Sequence, residues 1–123
     1  MKRPQTVVVL GASNKPERYA NKALKLLRQH GHTVVPVHPQ LSEIDGINVL
    51  PSLNAISAGV DTVTMYIGPA RSVALVEDLL ALKPKRVIFN PGSESELVAQ
   101  RLREAGIPFE EACTLVLLNT DQF

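Results

Sequence analysis

With one cysteine in 123 residues, almost no excess of either charge and no uninterrupted apolar run of membrane-spanning length, the chain lacks the marks of several protein classes. Cys113 has no partner for an internal disulfide and cannot make a zinc site alone. Thirteen Lys and Arg against twelve Asp and Glu leave a formal charge of +1, which gives no general field for drawing in nucleic acid or an anionic membrane. Any basic site must be local. The opening Met1–Gln5 leads into a five-residue apolar run without a cleavage-type flank, so neither export signal nor membrane span is expected, and the expected location is cytoplasmic. There is no Gly-x-Ser-x-Gly elbow, no Walker loop, no acid pair in an obvious site and no histidine pair at metal-ligand spacing.

What is present is an alternation of short β-rich runs with helical patterns, the mark of a parallel sheet covered on both faces. Strands are predicted at 6–10, 33–37, 47–50, 61–67, 86–89 and 107–111. Ala20, Ala23, Leu24 and Leu27 fall three or four apart and Gly31 ends that helix, with His30 and His32 flanking its cap. Pro69 opens a second helix with Val73, Val76 and Leu80 as its buried stripe, closed by Lys83-Pro84. Ser93 and Glu96 have capping-box spacing for a third, which Gly106 and Pro108 stop. Residues 38–60 are expected to be loop, a short strand and a brief helical turn. The apolar 114–118 fits either a helical turn or an edge strand, and is buried or in a dimer contact. The fold class is a three-layer, doubly wound (Rossmann-like) α/β sheet in one domain, with strand order 3-2-1-4-5-6 and a ligand crevice where the first and fourth strands diverge.

Four strand ends would line that crevice, and the first says most. Thr6-Val-Val-Val-Leu10 stops at Gly11, and Ala12-Ser13 leads towards an amphipathic helix, so free turn amides and a helix start are expected to form an anion site. The dinucleotide fingerprint requires two more glycines, but Ser13 and Pro16 stand in their places. An NAD site also ends its second strand on an acid, whereas this strand ends Val37-His38-Pro39. His38 suits a phosphate on the ribose, and Lys15, Arg18 and Lys22 add positive charge nearby. Coenzyme A, with its 3′-phosphate and pyrophosphate, fits that pattern, and NADP is the close competitor.

Gly11-Ala-Ser-Asn-Lys-Pro-Glu-Arg18 together with Gly31-His-Thr-Val-Val-Pro-Val-His-Pro39 resembles the small stand-alone CoA-binding proteins, whose fold is that of the N-terminal domain of the succinyl-CoA synthetase α subunit. Asp61–Tyr66, Lys85–Gly92 and Glu111–Leu118 look like the matching segments of that family, so the likeness covers nearly the whole chain. The resemblance implies that Gly11, Ala12 and Ser13 hold a pyrophosphate and that Val37, His38 and Pro39 border the adenosine opposite Ile67 and Gly68. It also implies that Asn90, Pro91 and Gly92 lie towards the pantetheine, and that Lys15, Arg18, Tyr19 and Lys22 pair with phosphates. The chain departs from many members at His38, where they have Asn, and at Ile67-Gly68-Pro69, where they carry charge.

No metal site and no catalytic residue is expected. The ligase's phosphorylated histidine lies in a second domain that 123 residues cannot contain. Three roles remain open: a CoA or acyl-CoA carrier, sensor or regulator; an NADP- or NAD-binding redox protein; and the CoA-site subunit of a larger acyl-CoA ligase. A homodimer is compatible with each. Cys113 reads either as a packed small hydrophobe or as a thiol placed to form a mixed disulfide with the CoA sulfur.

Overall fold

The computed structural model describes residues 3–57 and 59–123. The chain runs β1 (Thr6–Leu10), α1 (Tyr19–Gln29), β2 (Thr33–Val37), β3 (Glu43–Ile44), β4 (Ile47–Asn48), a 3-10 turn (Leu53–Ala55) and β5 (Thr62–Met65), followed by α2 (Pro69–Ala74), α3 (Val76–Leu82), β6 (Arg86–Phe89), α4 (Glu96–Ala105), β7 (Phe109–Glu111) and α5 (Thr114–Asn119). Five of these strands form a parallel sheet in the order β2-β1-β5-β6-β7. The direction of winding reverses between β1 and β5, as the sequence predicts.

Period-two alternation sends Val8 and Leu10 into one core and Val7 and Val9 into the other. The first core is closed by Val76 and Leu79 of α3 and by Val98 and Leu102 of α4; the second, by Leu24 and Leu27 of α1 with Leu118 and Phe123. Because Val7, Val8 and Val9 are wholly buried, each contributes about 1.5–3 kcal/mol through its side chain, and the strand reads as an unbroken apolar run.

The predicted third strand is corrected. Its first half is folded into an antiparallel hairpin, β3 with β4, around Asp45 and Gly46, whose φ values of 50° and 80° are those of a two-residue hairpin turn. Contact with the main sheet is reduced to one parallel bridge, Val37 to Leu50. The Leu50 N–H donates to the Pro36 carbonyl and the His38 N–H to Leu50, but the next rung needs an N–H that Pro36 does not have.

The expected second helix is two, broken at Leu75, whose φ and ψ of −104° and 3° end α2. That break leaves Val73 exposed rather than in the buried stripe, while Val76 and Leu79 face the core. The third helix is capped by Ser95, whose Oγ accepts the Val98 N–H at 3.2 Å. Ser93 is still in the preceding turn, its hydroxyl donating to the Asn90 carbonyl at 2.7 Å. The central β5 and the edge β7 are shorter than the predicted 61–67 and 107–111, since Tyr66 and Ile67 already lie beyond β5 and Pro108 precedes β7. The apolar tail is helical, and no helix among the described residues is long and apolar enough to cross a membrane.

Candidate functional site: a basic cleft beside an apolar slot

Beyond the carboxyl ends of β1 and β5 the loop 11–18 leaves the sheet. Gly11 has φ of +89°, and a Cβ there would stand 2.7 Å from Ile67 Cγ2 and 2.9 Å from the Tyr66 carbonyl oxygen. Only glycine fits that position. The expected set of free amides needs correction. Gly11 and Ala12 both donate to the Val37 carbonyl, each at 3.2 Å, which ties the loop to the end of β2.

In the loop and the first turn of α1, the N–H groups without a partner among the described residues are those of Ser13, Asn14, Glu17, Tyr19 and Ala20. Buried Asn21 sets the loop's orientation by donating from Nδ2 to the Ser13 carbonyl at 2.8 Å. Its Oδ1 is buried without a partner. The Ser13 hydroxyl accepts the Lys15 N–H at 3.1 Å.

Ser13, Asn14, Tyr19 and Ala20 line a cleft of about 560 Å³ that also takes in Lys15, Arg18, His38, Tyr66 and Arg71. No acidic residue lines it. His38 Nδ1 accepts the N–H groups of Gln40 and Leu41 at 3.0 and 3.1 Å, so its ring proton is on Nε2, where it is a donor. Tyr66 also lines the cleft, and its hydroxyl is buried without a hydrogen-bond partner. Burial pushes that phenol up to about 12.

A second space of about 260 Å³ lies across Gly11, walled by Val37, Pro39, Pro51, Leu53, Ile67 and Leu75. It is a mostly apolar slot, with Ser52 and Arg71 as its polar members. Of the residues expected here, Gly11, Ala12, Ser13, Lys15, Arg18, Tyr19 and His38 meet in the cleft, and Val37, Pro39 and Ile67 meet in the slot.

Four others line neither space. Lys22 is exposed on the outside of α1, its ammonium 5.4 Å above the Tyr19 ring. Gly68 caps α2 behind Ile67. Pro91 and Gly92 form an exposed turn. Asn90 is a fifth, and its side chain is fully committed: Nδ2 donates to Thr64 Oγ1 at 2.7 Å and to the Met65 carbonyl at 2.8 Å, and Oδ1 accepts the Thr114 N–H at 2.9 Å. A buried amide with those partners has no donor left to offer a ligand. Cys113, partly exposed at the start of α5, lines neither space.

Sequence reasoning missed Arg71. It lines both spaces, and its one signal was its place in the first turn of the helix that Gly68-Pro69 opens at the end of β5.

A parallel sheet with its crevice at the winding reversal, opening on a loop of free amides, defines a doubly wound, Rossmann-like α/β fold. Residues 5–119 match the CoA-binding domain family, and the chain belongs to it. A crystal structure of an uncharacterised protein is similar over 99% of this chain and 100% of its own, at 40% identity and a TM-score of 0.93. A Thermus thermophilus protein is 30% identical with a TM-score of 0.90, over 98% of this chain and 91% of that one. The fold also recurs in an acetyl-coenzyme A synthetase of Ca. Korarchaeum cryptofilum, solved with phosphate and ADP, at a TM-score of 0.75 and 21% identity. There the likeness covers 86% of this chain and 25% of the synthetase.

Proposed function

We propose that the whole chain is one coenzyme-binding domain that takes coenzyme A or a small acyl-CoA across Gly11, as a carrier, sensor or regulator without chemistry of its own. The observation that carries this reading is the join itself: an acid-free cleft lined by Lys15, Arg18 and Arg71 meets an apolar slot over a side-chain-free floor. The pyrophosphate would take the amides of Ser13 and Asn14, the start of α1 and the charges of Lys15 and Arg18. The Ser13 hydroxyl accepts from Lys15 and keeps its own proton for a phosphoryl oxygen. The adenine would enter between Pro39 and Ile67, and the pantetheine would leave by the open mouth of the cleft. Family membership supports the choice of coenzyme.

Calorimetric titration of the purified protein with CoA tests this directly. The expected result is saturable one-to-one binding that Lys15→Ala combined with Arg18→Ala weakens by about tenfold or more. No heat with CoA, from protein shown by mass spectrometry to carry no nucleotide already, would rule the reading out. Co-purification with a larger chain would favour the ligase-subunit role.

A further inference from the structure

We infer that Arg71 reads a phosphate carried on the ribose of the bound coenzyme, and thereby sets which adenosine coenzymes the site accepts; this rests on the coenzyme reading above. The cleft and the slot share two residues, Gly11 and Arg71. Gly11 has no side chain, so Arg71 alone presents a functional group to both spaces.

In an adenosine pyrophosphate the ribose is the link between base and phosphates. A base in the slot and phosphates in the cleft therefore place the ribose at the junction, in reach of Arg71. The guanidinium is uncommitted. Arg101 and Arg103 are held by glutamates and Arg86 by Thr62 and Gln5, whereas Arg71 is exposed and has no side-chain partner among the described residues. Its backbone is fixed nonetheless, since its N–H donates to the Gly68 carbonyl at 3.1 Å in the first turn of α2. A planar guanidinium on an anchored turn matches a phosphomonoester in charge and in paired hydrogen bonds.

Neighbouring groups divide the work. Lys15 and Arg18 line the cleft but not the slot, and His38 brings a single ring N–H donor. None of them spans the junction as Arg71 does.

The test compares the parent with Arg71→Gln, titrating each with CoA, 3′-dephospho-CoA, NADP and NAD. The parent should prefer CoA to dephospho-CoA by about tenfold or more, and Arg71→Gln should erase that preference by weakening CoA far more than dephospho-CoA. If the contrast appears for NADP over NAD instead, Arg71 reads a 2′-phosphate and the coenzyme assignment changes. A preference that survives in Arg71→Gln, or a variant that loses both ligands of a pair equally, overturns the role of Arg71 and leaves the coenzyme reading standing. A parent that binds none of the four overturns both. Because Arg71 is exposed, a thermal melt of Arg71→Gln should superimpose on that of the parent.

Discussion

Gly11 stands at the point where packing and binding make opposite demands on one residue. The loop must pass close under Ile67 to keep the floor between cleft and slot open, and a methyl group there would enter the Tyr66 backbone. Gly11→Ala should therefore cost about 1–3 kcal/mol in urea denaturation and shift the loop away from the cleft. A melt unchanged from the parent would contradict the close approach. The residue itself was legible, since a β-branched run stopping at glycine before a helix has few other readings. Which amides it leaves free was not. That depends on the Val37 carbonyl lying beside Gly11 and Ala12, a fact about a neighbouring strand 26 residues further along the chain. Arg71 was illegible for a similar reason, because its place between the two spaces depends on a slot that Val37, Pro51 and Ile67 wall together from distant parts of the chain.

Between elements, Asn90 acts as a three-way tie. Its amide joins the ends of β5 and β6 to the start of α5, reinforced by the 2.8 Å contact of the Thr64 and Thr114 hydroxyls. The resemblance assigned this residue to the ligand, but the folded chain uses it to satisfy buried groups that water cannot reach. Asn90→Ala should lower stability by about 2–4 kcal/mol and speed amide exchange in α5 above that in α1. Uniform exchange across both helices would place the tie elsewhere.

Several elements could be read locally, and others only in context. The stripe Ala20, Ala23, Leu24, Leu27 is buried as its spacing predicts. Asp45-Gly46 between two isoleucines is also a local hairpin signal, and it accounts for the half of the predicted third strand that the sheet does not hold. The break at Leu75 left no such mark, because an apolar stripe runs through it.

At the scale of the molecule, the amino ends of the strands are held by charge. Asp61 Oδ2 accepts the Thr6 N–H at 2.8 Å and Oδ1 lies 3.3 Å from Lys85 Nζ. The backbone hydrogen bond, more than the lysine, keeps this carboxyl below its ordinary value of 3.8. A carboxyl whose native pKa lies below its unfolded one stabilises the fold above the unfolded value and loses that contribution as the pH falls through the native one. Below about pH 4 the parent should therefore lose stability more steeply than Asp61→Ala in denaturation followed across the acid range. Parallel acid profiles would remove Asp61 from that role. The winding order of the sheet was legible from the alternation of elements, while the position beyond β2 was not, because one missing N–H decides it.

That missing N–H also governs how copies of the protein can meet. One border of the sheet offers Pro36 and a single bridge to Leu50; the other is three residues long and carries exposed Glu110 and Glu111. Neither border is a template on which a second chain could zip up, so ordered polymerisation through the backbone is blocked from both sides. Pairing of two molecules through helix or loop surfaces would leave the two sheets separate rather than continuous.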